Sequence, residues 1–348
     1  MKTIPMTSMS SKPKVLVGLS GGVDSAASVL LLQKEGYIIE GVYLHLQEED
    51  ENLSRAEEMA GYLHIPLHIL DLRTYFEEEI IRYFIESYQK GETPNPCVRC
   101  NERVKFGKML DFALEKGFDF IATGHYARVI HDEDSSKIFK AKNIEKDQSY
   151  VLYTLSFHQR RHILLPLGEI VSKEETRQLL QENKIPFHDR EESQEICFVE
   201  SDYREFLKKR GFIPKTGNFV DEEGNILGEH RGIGFYTHGQ RRGLGISAPE
   251  PLFVKEVQSD TKQIVLSGAS SLMSSVVYAQ QIHFFDEIPQ DQIEGKIRYS
   301  AKPVSCTLYP EGEDTLRIEF EQPVRAATPG QSVVFYRGEE LLGGGIIR

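Results

Sequence analysis

Between residues 15 and about 125, short apolar runs alternate with stretches that have the spacing of amphipathic helices. Four apolar runs have the length of buried strands: Val15–Leu19, Ile38–Leu44, Leu67–Leu72 and Phe118–Thr123. Helical patterns follow or separate them, at Ala26–Lys34, from Ser54 through Leu63, at Tyr75–Gln89 and at Lys105–Lys116. This alternation predicts an α/β fold with a parallel sheet and helices on both faces. Ligands of such sheets bind beyond the carboxyl ends of the strands, so the loops at 20–25, 45–50 and 124–128 should surround one cleft.

The second half of the chain differs in composition and in hydrophobic pattern. From about residue 205, glycine, proline and turn dipeptides become frequent, and short alternating runs replace helical patterns. The runs that predict strands are Leu252–Val257, Gln263–Leu266, Ile293–Ser300, Thr315–Glu321 and Ser332–Tyr336. Short strands separated by turns are typical of small β-barrels or sandwiches. We therefore divide the chain into an N-terminal segment (1–13), an α/β domain (14–204) and two β modules (205–275 and 276–348).

Length and composition exclude several classes of protein. No apolar run approaches the roughly 18 residues of a membrane span, and Met1–Pro13 lacks the apolar core of a signal peptide. Four cysteines in 348 residues are too few for a disulfide scaffold, which predicts reduced thiols and a cytoplasmic location. The net charge of −12 argues against non-specific coating of nucleic acid. The net charge does not exclude an enzyme that acts on nucleic acid, because basic residues cluster locally at 99–108, 158–162 and 203–218.

One loop has the composition of a phosphate-binding site. The run Ser20-Gly21-Gly22-Val23-Asp24-Ser25 follows a predicted strand and opens a predicted helix. Its two glycines let the backbone approach a phosphate, while helix N–H groups and serine hydroxyls supply donors. The run matches neither a Walker A loop nor GxGxxG. It resembles the PP-loop of the ATP pyrophosphatases, which split ATP between the α and β phosphates. In that setting Asp24 would help to hold Mg²⁺.

Three cysteines lie in two distinct motifs. Cys97 and Cys100 form a C-x-x-C within TPNPCVRCN, and Cys197 lies about a hundred residues later in SQEICF. The thiolate is the reactive form of cysteine, and neighbouring basic side chains or a helix N-terminus favour it. Arg99, Arg103 and Lys105 flank the first motif. The pattern indicates thiol chemistry.

With SGGVDS, TPNPCVRCN and SQEICF in this order, the chain resembles the tRNA-specific 2-thiouridylases. Four further motifs support the resemblance: Ala122–Arg128 (ATGHYAR), Lys146–Tyr150 (KDQSY), Gly239–Ile246 (GQRRGLGI) and Lys296–Ser300 (KIRYS). The resemblance extends from about residue 14 to the C-terminus. It implies a PP-loop domain of the adenine nucleotide alpha hydrolase type at 14–204, a small central β domain at 205–275 and a C-terminal β-barrel at 276–348.

The resemblance also implies roles for individual residues. ATP is expected at Gly18, Leu19, Ser20, Gly21, Gly22, Val23, Asp24, Ser25, Leu44 and Gly124, and His125 joins them because it follows Gly124. The implied catalytic residues are Asp24, the nucleophile Cys100 and the persulfide-bearing Cys197. Contacts with tRNA are implied at Asn95, Pro96, Cys97, Lys146, Asp147, Gln148, Arg298 and Tyr299. Arg241 and Arg242, in a basic glycine-rich turn, are further candidates for tRNA contact.

The implied reaction is adenylation of O2 of a uridine at the first (wobble) anticodon position, followed by attack of sulfur on C2. In one version, a persulfide on Cys197 delivers the sulfur and Cys100 releases it through a transient disulfide. Many family members carry Asp at the position of Cys97. The third thiol here opens a second version, in which Cys97, Cys100 and Cys197 ligate a [4Fe–4S] cluster that binds sulfide. The implied partners are a tRNA anticodon stem-loop and a sulfur donor, such as a cysteine desulfurase or sulfur-relay protein, with no membrane.

Two other functions fit parts of the sequence. A PP-loop, AMP-forming synthetase acting on a small molecule would not need Cys100 or Cys197. A non-catalytic tRNA-binding protein with a vestigial loop would release no pyrophosphate. Outside these motifs, structural roles are expected for His45, His64 and His68, and Cys306 is expected to be a small buried side chain.

Overall fold

The computed structural model describes residues 12–48, 52–186, 196–199, 202–312 and 314–348. Contacts divide the chain into two compact units. The first unit comprises the described residues within Met1–Glu79, Cys97–Glu192 and Glu339–Leu342. The second comprises those within Ile80–Pro96, Ser193–Gly338 and Gly343–Arg348. Most of the predicted N-terminal segment, residues 1–11, lies outside the described residues. The domain limits proposed near 204 and 275 stay predictions.

The strands are numbered in chain order. They are β1 Lys14–Gly18, β2 Ile38–His45, β3 Leu67–Asp71, β4 Phe120–Ala122, β5 Ala127–His131, β6 Ser136–Lys140, β7 Ile163–Leu164, β8 Gly217–Val220, β9 Ile226–His230, β10 Phe253–Gln258, β11 Gln263–Ser267, β12 Met273–Phe284, β13 Ile293–Lys296, β14 Val304–Pro310, β15 Thr315–Arg325, β16 Ser332–Arg337 and β17 Glu340–Ile347.

The α-helices are α1 Val23–Lys34, α2 Asn52–Leu63, α3 Arg73–Phe76, α4 Arg82–Gln89, α5 Pro96–Cys100, α6 Met109–Glu115, α7 Phe157–Arg161, α8 Lys173–Glu182 and α9 Tyr203–Lys209. Glu77–Ile81 and Asn101–Lys108 are π-helical. Short 3₁₀ turns occur at Ile144–Lys146, Ser149–Leu152, Pro166–Glu169, Ile233–Phe235 and Ala269–Leu272. In the described part of the chain, no helix has both the length and the apolar character needed to cross a membrane.

The first unit is built on a parallel sheet in the order β3-β2-β1-β4-β7. The central strand carries Val15, Leu16 and Val17, all fully buried. A strand buried on both faces needs cover from helices on each side, which is why an apolar run without alternation forms the centre of a parallel sheet. The hairpin β5–β6 also belongs to this unit, where Phe139 pairs with Glu340.

The strand order creates a switch point between β1 and β4. The chain runs from β1 outward to β3 and then returns to β4 on the opposite side of β1. A reversal of strand order of this kind marks the carboxyl ends of β1 and β4 as the place where α/β proteins bind ligands. The expectation that the loops at 20–25 and 124–128 adjoin each other is confirmed, since Gly124 packs against Asp24. The third loop, 45–50, is described only to residue 48.

The second unit contains two β structures. One sheet has the order β10-β11-β8-β9, with a parallel pair between β8 and β11. The remaining strands follow the order β12-β15-β14-β13-β16-β17, and β12 pairs with β17 as well as with β15. Ala279 thus faces Leu316 on one side and Ile347 on the other. This double pairing closes the sheet into a barrel.

Some element boundaries differ from those predicted. The helix expected at Lys105–Lys116 begins at Pro96, because proline suits the first position of a helix and the chain stays helical through the π segment. The helix expected at Tyr75–Gln89 is interrupted by π-helix at Glu77–Ile81. The strand expected at Ile293–Ser300 ends at Lys296, where the chain turns and Ala301 N–H donates to the Arg298 carbonyl.

Candidate nucleotide and thiol sites

The loop after β1 has a conformation that requires glycine. Gly21 has φ +74°, and a Cβ there would lie 2.8 Å from Cβ of Arg55. Helix α1 begins immediately afterwards at Val23, with Gly22 as its N-cap. The first N–H groups of a helix lack intrahelical acceptors and carry partial positive charge. The loop therefore presents backbone donors suited to a phosphate.

The two serines of this loop hold each other in place. Ser25 Oγ donates to the Gly22 carbonyl at 2.9 Å, and Ser20 N–H donates to Ser25 Oγ at 3.3 Å. The two hydroxyl oxygens are 3.3 Å apart. Ser20 is exposed, whereas Leu19 is only 2% exposed. Of the predicted ATP residues, Leu19 can therefore contribute its backbone, while Ser20 offers a side-chain donor.

A second loop, after β4, joins the first through Asp24. Tyr126 Oη donates to Asp24 Oδ1 at 2.8 Å. A Cβ on Gly124 would lie 3.1 Å from both the carbonyl carbon and Cβ of Asp24, so the two backbones are nearly in contact. Tyr126 was not predicted as a site residue, although it lies in the ATGHYAR motif. Its bond orients a carboxylate that could serve a metal–phosphate complex.

His125 and Leu44 border the same region. His125 is 8% exposed, and its Nδ1 lies 2.7 Å from Thr123 Oγ1. Burial holds the pKa of His125 well below its usual value, so the imidazole is neutral near pH 7. Leu44 is half-buried near the carboxyl end of β2, beside Leu70 of β3. Contact of either residue with ATP stays a prediction.

Substituting Gly124 with alanine should weaken ATP binding by about tenfold. The added Cβ would displace the Ser20–Ser25 loop by a few tenths of an ångström, and such a shift disturbs a preorganised phosphate site. Equilibrium binding of ATP measures the effect. Gly61→Ala is the matched control, since Gly61 lies exposed in α2 and a Cβ there meets nothing within 4 Å. Equal affinity in the Gly124→Ala and Gly61→Ala proteins would contradict a nucleotide site at this loop.

The first cysteine motif forms the start of a helix. Cys97 is exposed and Cys100 is 7% exposed, one turn apart on α5. Arg99 Nη2 lies 2.9 Å and Arg103 Nη1 3.4 Å from Oε2 of Glu79. Glu79 therefore takes up part of the positive charge that the sequence places beside the thiols.

The KDQ residues lie in a folded turn of the first unit. Asp147 is 7% exposed, and its carboxylate accepts hydrogen bonds from Ala141 N–H at 2.9 Å and Ser149 Oγ at 2.8 Å. Gln148 Oε1 accepts from Tyr126 N–H at 2.9 Å, while Lys146 is half-buried. The structure thus gives Asp147 a hydrogen-bonding role inside the fold, and its predicted contact with tRNA stays a prediction. The predicted tRNA contacts of Lys146 and Gln148 stay predictions.

The second unit contains the other predicted residues. Cys197 and Arg241 are exposed, and exposed Arg242 lines a cavity of about 1050 Å³. Arg298 Nη2 donates to the Ala326 carbonyl and to Thr328 Oγ1, and Tyr299 is 45% exposed. Asn95 is half-buried and Pro96 is buried. Residues 193–195 of the SQEICF motif lie outside the described residues.

The predicted metal and structural residues have different outcomes. Among the residues that the structure describes, no group of three or more His, Cys, Asp or Glu side chains is placed to hold a metal ion. Ligation of an iron–sulfur cluster by Cys97, Cys100 and Cys197 stays a prediction. Cys306 is fully buried, as predicted, and burial raises its pKa to about 12. His68 Nε2 lies 2.6 Å from Glu40 Oε2.

The fold and the site define a nucleotide-binding α/β protein extended by two β structures. Family models match three stretches: the tRNA methyl transferase HUP domain at 13–201, the tRNA methyl transferase PRC-barrel domain at 204–268 and the aminomethyltransferase β-barrel domain at 274–347. The predicted fold class, a parallel-sheet domain followed by a small β domain and a β-barrel, is confirmed.

Full-length relatives narrow the class to one family. A tRNA-specific 2-thiouridylase MnmA of Carboxydothermus hydrogenoformans is 43% identical, over 97% of this chain and 98% of the relative. Proteins of the same name from Syntrophomonas wolfei and Clostridioides difficile are 42% and 40% identical, each over 96% of this chain and at least 98% of their own length. The chain belongs to the tRNA-specific 2-thiouridylase family, as its motifs predicted.

Proposed function

We propose that this protein is a tRNA-uridine 2-sulfurtransferase that consumes ATP. The observation that carries the proposal is the joining of the Ser20–Ser25 loop to Gly124 and Tyr126 at the switch point. A loop of this kind suits many nucleotide-dependent enzymes. Relatives called tRNA-specific 2-thiouridylases match 96–97% of the chain, which narrows the substrate to tRNA and the reaction to thiolation.

The first step activates the base. O2 of a uridine is a poor leaving group, so it attacks the α-phosphate of ATP, and pyrophosphate departs. Negative charge grows on the phosphate oxygens in the transition state, where the amides that open α1 and the hydroxyl of Ser20 stabilise it. Magnesium, when bound with the triphosphate, would neutralise further charge, and Asp24 would be its carboxylate ligand.

The second step transfers sulfur. The terminal sulfur of a persulfide on Cys197 attacks C2, and AMP departs with the former O2 oxygen. The Cys100 thiolate then attacks Sγ of Cys197, and the electron pair of the broken S–S bond stays on the sulfur of 2-thiouridine. The two cysteines are left as a disulfide, oxidised by two electrons, which a thiol reductant must reduce. A cysteine desulfurase or sulfur-relay protein supplies the next persulfide sulfur.

The substrate is the anticodon stem-loop of a tRNA, modified at its first anticodon base. Bases of a single-stranded loop leave their stack at lower cost than bases of a duplex. Basic and aromatic side chains position the RNA through its backbone. The proposed contacts are Asn95, Pro96, Cys97, Lys146, Asp147, Gln148, Arg241, Arg242, Arg298 and Tyr299. Since tRNA and reduced thiols both occur in the cytoplasm, we place the enzyme there.

The cluster version would use Cys97, Cys100 and Cys197 as thiolate ligands of a [4Fe–4S] group. A cluster bound there would supply an open iron position that holds sulfide for transfer. The persulfide version needs only the two cysteines that the family motifs contain.

Nucleoside mass analysis of tRNA tests the proposed function. Cells that lack this protein should lose 2-thiouridine derivatives, and the wild-type chain but not Cys197→Ala should restore them. Unchanged 2-thiouridine in the deletion strain would refute the function. Full ATP turnover by Cys100→Ala and Cys197→Ala proteins with a small-molecule acceptor would favour the AMP-forming synthetase instead.

A further inference from the structure

The helix that carries Cys100 contains an unusual turn directly after it. Residues 101–108 are π-helical and are followed by α6, and Met109 N–H donates to the Val104 carbonyl five residues earlier. A π turn holds one more residue than an α turn, is rare and occurs frequently at functional sites. Because each α-helical residue advances by about 100°, the extra residue rotates Cys100 by about that angle relative to α6.

A glycine makes room for this wide turn. A Cβ on Gly107 would lie 2.9 Å from the Glu102 carbonyl oxygen, closer than side chains are found. The φ of Gly107 is not positive, so the requirement is for space. Any larger residue must push the Glu102 carbonyl away from its present direction.

The side chain of Gln159 bonds to two carbonyls of the π turn. Its Nε2 donates to the Glu102 carbonyl at 2.7 Å and to the Phe106 carbonyl at 3.0 Å. Its Oε1 accepts from Ser156 N–H at 2.8 Å, and Ser156 Oγ accepts from Gln159 N–H at 3.2 Å, which forms a capping box at α7. One amide thus links the start of α7 to the widened turn.

A second bond anchors the beginning of the π segment. Asn101, next to Cys100, is 2% exposed, and its Nδ2 donates to the Val151 carbonyl at 3.1 Å. The stretch 151–159 therefore holds the π segment at residues 101, 102 and 106. Hydrogen bonds inside a protein, away from competing water, fix such a geometry firmly.

We infer that Gln159 is a positioning residue for sulfur transfer, which acts by holding the π turn that sets the orientation of Cys100. The inference rests on the proposed function, in which Cys100 is the nucleophile of the second step. The adenylation step uses the Ser20–Ser25 loop and does not use Cys100. A change in the π turn should therefore affect the second step and spare the first.

Gln159→Glu separates the two roles of this side chain. A carboxylate keeps the oxygen that caps α7 but has no N–H groups for the Glu102 and Phe106 carbonyls. We expect the rate of tRNA thiolation to fall by about 100-fold, since displacing a reacting group by about 1 Å can lower a rate by that factor. Single-turnover release of pyrophosphate from ATP with unmodified tRNA should stay within about twofold of wild type. Gly107→Ala, which removes the space for the turn, should show the same split.

Ser156→Ala is the matched control, because it removes the capping hydroxyl and leaves both Gln159 donors in place. It should keep both thiolation and pyrophosphate release. Thiolation at the wild-type rate in Gln159→Glu and Gly107→Ala would overturn the inference. So would a parallel loss of pyrophosphate release and thiolation, which would mark general damage to the fold. Absence of thiolation in the wild-type protein would instead refute the proposed function.

Discussion

A Cys197→Ser protein should thiolate tRNA at less than about one-thousandth of the wild-type rate, yet still release one equivalent of pyrophosphate. Serine cannot carry a persulfide sulfur, and loss of a covalent nucleophile removes most of a rate enhancement. Cys100→Ser should block one step later, after AMP has departed, because no thiolate would break the bond between the product sulfur and Cys197. Thiolation is measured by nucleoside mass analysis after incubation with ATP and a sulfur donor.

Cys306→Ala serves as the control for thiol substitution. Cys306 is fully buried in β14 and belongs to neither motif. Its replacement should lower the free energy of unfolding by about 1 kcal/mol through loss of packing, while the folded protein keeps its thiolation rate. Wild-type thiolation by Cys197→Ser would contradict both versions of sulfur transfer.

Iron analysis of the anaerobically purified protein distinguishes the persulfide from the cluster. About four iron atoms per chain would support cysteine ligation of a [4Fe–4S] group, and absence of iron would support the persulfide. Substitution of Cys97 gives a second test of the cluster, because the cluster version needs this third thiol. If a Cys97→Asp protein keeps full thiolation, the third thiol is dispensable, as the family pattern implies.

The second large effect is expected at Asp24. Asp24→Asn should slow tRNA-dependent pyrophosphate release by about 100-fold or more, because the amide keeps the size of the side chain but loses the negative charge that a magnesium–ATP complex requires. Thiolation should fall with it, since no adenylated base would form. The initial rate of pyrophosphate release measures the effect.

Tyr126→Phe provides the comparison. This change removes the hydroxyl that donates to Asp24 at 2.8 Å and leaves the carboxylate in place. Loss of one hydrogen bond to a charged group corresponds to about 1.5–3 kcal/mol, or roughly 10- to 150-fold in rate if the bond is fully used in the transition state. An Asp24→Asn protein more active than Tyr126→Phe would exclude a metal role for the carboxylate.

Much of the fold could be predicted because its signals are local. The buried run Val15–Val17 and the glycines at 21 and 22 specify a strand, a tight turn and a helix start within a dozen residues. Helix starts were less predictable. Pro96 opens a helix that the apolar spacing suggested only from Lys105, and the π turn at 101–108 has no periodic signature of its own.

The amino-acid sequence alone determined the parallel α/β class, the phosphate loop and the ordered motifs that indicated the family. Only the tertiary structure decided that Tyr126 reaches Asp24 across 102 positions, that Asp147 turns inward and that Gln159 bonds to the turn beside Cys100. The physical reason is the separation along the chain between the residues that interact. Strands, turns and loop chemistry depend on neighbours along the chain, whereas a side-chain hydrogen bond between distant segments depends on strand order and packing, which no local pattern encodes.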